Sequence, residues 1–266
     1  MKERLDVLLV QQGFFETRER AKRAIMAGVV IVDNKKIEKA GTQIKWEEEL
    51  PEIRIKGETL KYVSRGGLKL EKAIKIWNLD FNGKTILDVG ASTGGFTDCA
   101  LQSGATFAYS MDVGTNQLDW KLRNHEQVKS IEGMHIKDLT LEDIDNSEID
   151  FIVMDVSFIS ITKVIPHLIK FMNEKTKLMA LIKPQFEVGR ENIEKGGIVK
   201  NPKKHKMAIE MVMESASEHG LNLHQLDFSP ITGGKGNIEY ISLFSKEETK
   251  NIVDVDKVVE ESKKLR

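Results

Sequence analysis

Four charged residues, Lys69, Asp155, Lys183 and Glu239, each fall where a predicted strand or helix meets a turn, the edge of an open α/β sheet where chemistry is usually done. Charges beside apolar runs such as Phe151-Ile152-Val153-Met154 and Met179-Ala180-Leu181-Ile182 are costly to bury unless they meet one another or a substrate. Brought together they would form an acid/base site. A second lysine and desolvation would lower a lysine pKa, while carboxylates would orient the amine and limit the shift. The alternative is two ordinary ion pairs at the rim of the sheet.

The elements that must carry these residues follow from the pattern. From Lys84 onward, apolar runs at Thr85 to Val89, Phe107 to Asp112, Phe151 to Asp155 and Leu178 to Lys183 alternate with helical spacing, which implies parallel βαβ units. The expected fold is α/β, a Rossmann-like sheet with helices on both faces. A helix with Leu68, Leu70, Ala73, Ile74 and Trp77 on its apolar positions precedes it, after a hinge ending in Gly66-Gly67. A charged helix from Asp254 to Arg266, with Val255, Val258 and Val259 on one side, should pack on the same domain.

Composition narrows the classes. The 266 residues hold 40% apolar side chains, 40 basic against 41 acidic residues and one cysteine, Cys99. The chain is therefore no polycation, has no disulfide framework and offers no Cys-rich metal site, and its six histidines lack metal-ligand spacing, so no metal is assigned. The charged start Met1-Lys2-Glu3-Arg4 is no signal peptide, no window is long enough to span a membrane, and a cytoplasmic protein is expected.

The first predicted strand runs into Asp88-Val89-Gly90-Ala91-Ser92-Thr93-Gly94-Gly95-Phe96, where glycines let a ligand approach the backbone. The spacing of Gly90, Gly94 and Gly95 fits a dinucleotide fingerprint poorly, which argues against a dehydrogenase. The run resembles the cofactor turn of S-adenosylmethionine-dependent methyltransferases. That resemblance implies Asp88, Gly90, Ser92, Gly94, Gly95 and Phe96 at the cofactor. Asp112, ending the second strand, is placed to accept from ribose hydroxyls, and Asp138 from the adenine amine, unless Asp138 is a surface residue at a helix start.

The first sixty residues read differently. Leu5, Leu8 and Leu9 at helical spacing stop at Gly13; Thr17 can cap a second helix ending at Gly28; Asp33-Asn34 joins two strand-like runs. Arg4, Arg18, Arg20, Lys22, Arg23, Lys35 and Lys36 give this segment a basic surface, which charge alone would assign to a solvated face. The runs Arg4-Leu5-Asp6, Thr17-Arg18-Glu19-Arg20-Ala21 and Ile25-Met26-Ala27-Gly28-Val29 resemble the small α+β RNA-binding fold named after the fourth small-subunit ribosomal protein. That resemblance implies that those seven basic residues anchor RNA, and phosphate contacts of that kind position without specifying sequence. The acidic stretch Glu47-Glu48-Glu49-Leu50-Pro51 should turn away from it. The division expected is residues 1–58, a linker at 59–67 and a methyltransferase domain at 68–266.

Target chemistry leaves its own residues. Methylation at a pyrimidine carbon needs a cysteine nucleophile, and Cys99 lies inside a helix. Methylation of an exocyclic amine usually shows Asn or Asp before Pro-Pro-aromatic, and this strand ends Asp155-Val156-Ser157-Phe158. A ribose 2′-hydroxyl instead needs a group to take its proton, which Lys69, Lys183, Asp155 and Glu239 can supply. Ser64-Arg65-Gly66-Gly67-Leu68-Lys69, Met154-Asp155-Val156-Ser157-Phe158, Leu181-Ile182-Lys183-Pro184-Gln185-Phe186-Glu187 and Gly236-Asn237-Ile238-Glu239 together resemble the TlyA (haemolysin A) family over nearly the whole chain. That family implies an FtsJ-like methyltransferase acting on ribosomal RNA or ribosomal subunits, with a Lys-Asp-Lys-Glu tetrad at Lys69, Asp155, Lys183 and Glu239, and Lys183 nearest the hydroxyl. His135-Ile136-Lys137 departs from the family's Asn and Arg. Phe186 would stack a flipped nucleotide or join the core, and the glycines around Lys195 and Lys235 would close over RNA or simply turn. The competing readings are a non-catalytic RNA-binding assembly protein and a membrane-active haemolysin; the second lacks a long apolar or basic amphipathic segment.

Overall fold

The leucines at helical spacing form α1 (Leu5–Gln11) in the computed structural model of the chain, preceded by a strand, β1 (Lys2–Arg4), and followed by α2 (Arg18–Met26). Residues 1–265 are described except 16, 34, 48, 49, 57–60 and 195, and at 235 the backbone alone. The expectations at Asn34, at Glu48 and Glu49, at linker positions 59 and 60 and at Lys195 therefore lie outside the described residues. Thr17 starts α2 by accepting from Arg20 N, and Gly28, at φ +67°, turns the chain out of it into β2 (Val30–Val32). Strand β2 pairs antiparallel with β3 (Lys35–Lys36) and β5 (Ile53–Ile55), while β4 (Gln43–Lys45) pairs with β1. Leu5, Leu8, Leu9, Ile25 and Val30 close beneath as one small core, each worth about 1.5–3 kcal/mol when buried.

The second unit opens with α3 (Gly67–Trp77) and β6 (Thr85–Val89), then α4 (Gly95–Gln102), β7 (Phe107–Asp112), α5 (Trp120–Arg123), β8 (Val128–Glu132) and β9 (Phe151–Met154). It continues through α6 (Ile165–Leu168), β10 (Lys177–Ile182), α7 (Pro184–Glu187), α8 (Pro202–Glu218), β11 (Asn222–Phe228), β12 (Tyr240–Ser245) and α9 (Val255–Ser262). The seven strands lie in the order β11-β12-β10-β9-β6-β7-β8. The last five in that order are parallel; β12 runs antiparallel between β10 and β11.

Side-chain alternation divides the sheet's two faces. Ile86, Ala108, Phe151, Val153 and Leu181 pack with Leu70 of α3 and Phe96 and Cys99 of α4. Leu87, Met111, Ile152, Met154 and Ile182 pack on the opposite side with α6, α8 and α9. Near-continuous apolar strands are what a parallel sheet covered on both faces requires. The tail helix packs as expected, with Val259 buried and Asp254 capping its first turn.

The antiparallel strand matters for the site. Tyr240 stands opposite Ile182, so the beginning of β12 meets the end of β10, and Glu239 arrives at the edge where Lys183 leaves.

Candidate active site

Each of the four charges is delivered by an element end. Lys69 sits in the first turn of α3, Asp155 follows β9, Lys183 precedes Pro184 at the start of α7, and Glu239 precedes β12. The structure brings all four together. Lys69 Nζ donates to Asp155 Oδ2 at 3.0 Å and to Glu239 Oε2 at 2.7 Å. Lys183 Nζ lies 2.6 Å from Asp155 Oδ1 and donates to Ser157 Oγ at 2.9 Å. The Lys183–Asp155 contact is an ion pair without hydrogen-bond alignment, for Asp155 Oδ1 has no aligned donor among the described residues. Gln185 Nε2 completes the set with a long, 3.5 Å approach to Glu239 Oε1.

The two lysines stand in different fields. Burial alone would lower the Lys69 pKa, but Asp155 and Glu239 outweigh it and hold that amine well above the ordinary lysine value. The depressed lysine expected from charge crowding is therefore not Lys69: two carboxylates at hydrogen-bond distance dominate over one neighbouring ammonium. Burial would raise Asp155, yet Lys183 and Lys69 override it and keep the carboxyl well below the usual carboxylate range. Lys183 has one carboxylate at hand where Lys69 has two.

These groups line a cavity of about 650 Å³ that also receives the glycine turn. Gly90, Ser92, Gly95 and Phe96 line it, whereas Gly94 lies behind, against Leu118 and Leu122. Gly90 has φ +81°, and a side chain there would come within 2.9 Å of the Asp155 carbonyl oxygen, so only a bare backbone fits between the turn and the acid. Asp88 reaches the same cavity from the end of β6. Burial pushes its carboxyl up to about 7 even though Oδ2 accepts from Thr97 N and Thr97 Oγ1. Its Oδ1 is buried without a hydrogen-bond partner among the described residues, an acceptor that suits an incoming ammonium group.

Asp112 and Asp138 stand apart from the tetrad. Asp112 accepts from Ser92 N and Gly114 N, each at 2.8 Å, and thereby braces the turn. Asp138 is exposed. In the N-terminal unit Arg4 and Arg18 are gathered by one buried acid, Asp6, at 2.9 Å each. Burial would raise Asp6, but hydrogen bonds from the two guanidinium groups bring it down to about 2. Lys22 pairs with Glu19 and Lys36 with Glu38, while Arg20, Arg23 and Lys35 are exposed.

Other cavity residues escaped the sequence reading. Ser157 holds Lys183, and Arg65 faces the ring of Phe14 at 5.6 Å and lines the cavity beside Leu50 of the N-terminal unit. Burial lowers the Arg65 guanidinium to about 10. Phe158 is 92% exposed at φ +64°, its ring tilted against Phe186 at 5.3 Å. The Asp155-Val156-Ser157-Phe158 run carried the signal for Ser157 and Phe158, since the turn after a parallel strand is where site residues gather.

A mainly parallel seven-stranded sheet, a glycine turn opening α4, and a charged tetrad at the strand ends define a methyltransferase sheet joined to a small RNA-binding-type unit. The FtsJ-like methyltransferase family matches residues 62–246, and the S4 domain matches residues 3–50. The chain belongs to the TlyA family of FtsJ-like methyltransferases. It is 48% identical to YqxC of Bacillus subtilis, a candidate rRNA methyltransferase, over 90% of this chain and 84% of that one. It is 35% identical to the 16S/23S rRNA (cytidine-2′-O)-methyltransferase TlyA of Mycobacterium tuberculosis over 89% of this chain and 87% of that one. A solved candidate hemolysin from Streptococcus thermophilus superposes with a TM-score of 0.79 at 43% identity, covering 99% of this chain and 96% of that one. No helix among the described residues is long and apolar enough to cross a membrane.

Proposed function

We propose that the chain transfers a methyl group from S-adenosylmethionine to a ribose 2′-hydroxyl of ribosomal RNA, on a cytidine as in the mycobacterial relative. The observation that carries this reading is a single cavity holding both the glycine turn and Lys183, with Asp155 and Ser157 fixing the amine. Gly90, Ser92, Gly95 and Phe96 would cradle the cofactor with Gly94 turning the chain behind them, Asp88 Oδ1 would take its ammonium, and Asp112 would use its remaining lone pairs for the ribose, with Asp138 on the adenine side. When bound, the cofactor supplies an electrophilic methyl group on a sulfonium.

The chain's own residues then divide the work. Lys183 as the neutral amine is the group that accepts the proton a 2′-hydroxyl must lose on attack, becoming an ammonium that the Asp155 carboxylate then pairs. Lys69, held charged by two carboxylates, is an orienting cation that fixes Asp155 and Glu239. Residues 1–58 anchor the RNA through Arg4, Arg18, Arg20, Lys22, Arg23, Lys35 and Lys36, residues 59–67 link the units, and residues 68–266 carry the reaction. A ribosomal substrate puts the enzyme in the cytoplasm.

The test is transfer of radiolabelled methyl to intact ribosomes, separated subunits and naked rRNA by wild type and by Lys183→Ala. Label in ribose by wild type, and a loss of about 10²–10⁴-fold in Lys183→Ala, is expected. No labelling of any RNA by wild type ends the enzymatic reading; an unimpaired Lys183→Ala ends the assigned role.

A further inference from the structure

The RNA-anchoring unit and the tetrad are joined through one short helix. Helix α1 has 7 residues, so it spans about 10 Å at roughly 1.5 Å per residue. At its start lie Arg4 and Asp6, the latter also bonded to Arg18. At its end Gln11 O accepts from Thr232 N at 3.0 Å, and Gln12 Nε2 donates to Thr232 Oγ1 at 3.2 Å. The next residue, Gly13, has φ +73°, and a side chain there would run into Ile231 and press on Leu68.

Both contact points border the tetrad. Leu68 precedes Lys69, and Thr232 precedes Gly233, whose missing side chain leaves the room that the Glu239 carboxylate occupies. The loop from 231 closes on itself through Gly233 N to Asn237 O at 2.8 Å, so a shift at Thr232 is carried toward Glu239.

Gln12 is an odd choice for stability. It is 1% exposed and its Oε1 has no hydrogen-bond partner among the described residues. A buried amide with an unmet carbonyl costs free energy that an apolar side chain of the same shape would not. Among the described residues the hydrogen bond of its side chain runs to Thr232.

We infer that Gln12 is a positioning residue for methyl transfer: it locks the 231–239 loop to α1, so that RNA seated on Arg4 and Arg18 sets the place of Glu239 and, through it, Lys69. The inference rests on the methyltransferase reading above. It asks more of the N-terminal unit than anchoring, since a pure anchor would change RNA affinity alone.

The experiment uses the full chain and Gln12→Met, which keeps volume and removes the amide. Loss of one buried hydrogen bond in the reacting arrangement should lower kcat on rRNA roughly tenfold, with KM for RNA and cofactor affinity within about twofold of wild type. Thr232→Val in the Gln12→Met background should add little, because the two act as a pair. Cofactor affinity and circular dichroism report folding of the variant. A second measurement needs no variant: the wild-type amides of 231–239 should gain hydrogen-exchange protection when an rRNA fragment is bound. An unchanged kcat in folded Gln12→Met, a raised KM with kcat intact, or exchange in 231–239 indifferent to RNA would each overturn the coupling. Absence of transfer by wild type would instead overturn the methyltransferase reading itself.

Discussion

Lys69 Nζ holds Asp155 Oδ2 at 3.0 Å across 86 residues of chain, leaving the other carboxylate oxygen facing Lys183. Asp155 is thus the shared counter-charge of both amines. Asp155→Ala would take away the carboxylate beside Lys183 and leave Lys69 with Glu239 alone, and breaking a buried pair by removing one partner costs about 3–5 kcal/mol. We expect urea denaturation to show a loss of that size for Asp155→Ala, and less for Lys183→Met, which leaves Asp155 paired with Lys69.

Cofactor affinity should depend on pH through Asp88. Its folded carboxyl titrates at about 7 rather than the ordinary 3.8, so below that pH the site presents a neutral acid to an ammonium ligand. S-adenosylmethionine binding measured by calorimetry should weaken as pH falls from 8 to 6, about tenfold per unit once Asp88 is mostly protonated. Asp88→Asn should bind weakly and without that slope. The linkage has the opposite sign for stability: the raised pKa makes the unliganded fold lose stability as pH climbs from about 4 to 7.

Asp6 behaves in the reverse sense. Its pKa is lowered to about 2 from 3.8, so the stability it contributes is present above about pH 4 and disappears as pH falls toward 2. Arg4 and Arg18 are half exposed, and water screening limits the contribution to about 1 kcal/mol. Asp6→Asn should lower Tm at neutral pH and converge with wild type in acid. The same variant should weaken rRNA binding, because the two guanidinium groups lose their common hold.

Phe158 carries a bulky side chain at φ +64°, a conformation costing about 1–2 kcal/mol outside glycine. An exposed aromatic at the cavity mouth, beside Phe186, can stack a base. Phe158→Gly and Phe158→Ala should therefore lose rRNA methylation alike, while the glycine variant melts higher than the alanine variant by the equivalent of about 1 kcal/mol. Equal melting temperatures would mean the backbone is not strained there.

The strands that deliver Asp155 and Lys183 were legible because parallel, doubly covered strands read as unbroken apolar runs, and Thr85–Val89 and Phe107–Asp112 likewise lie where the pattern puts them. Lys69, Asp155, Lys183 and Glu239 stood out as charges interrupting that pattern. What the pattern does not hold is pairing between distant segments. The Lys69–Glu239 contact spans 170 residues and the Gln12–Thr232 contact 220, and neither has a period to detect. The reversal of β12 was likewise invisible, since strand direction comes from its neighbours. Lys69 shows the limit most clearly: a second lysine and burial would lower a lysine pKa, and only the carboxylates folded against Lys69 raise the value.

Because β12 follows the other strands of the sheet in chain order and runs backwards beside β10, the fourth charge is synthesised after the other three. A nascent chain halted before Glu239 would already contain the glycine turn, both lysines and Asp155, yet Lys69 would lack one of its two carboxylates and β10 its outer neighbour. The cluster of four charges is then complete only once β12 is in place. A copy made no further than β11 would lack the arrangement proposed above for methyl transfer.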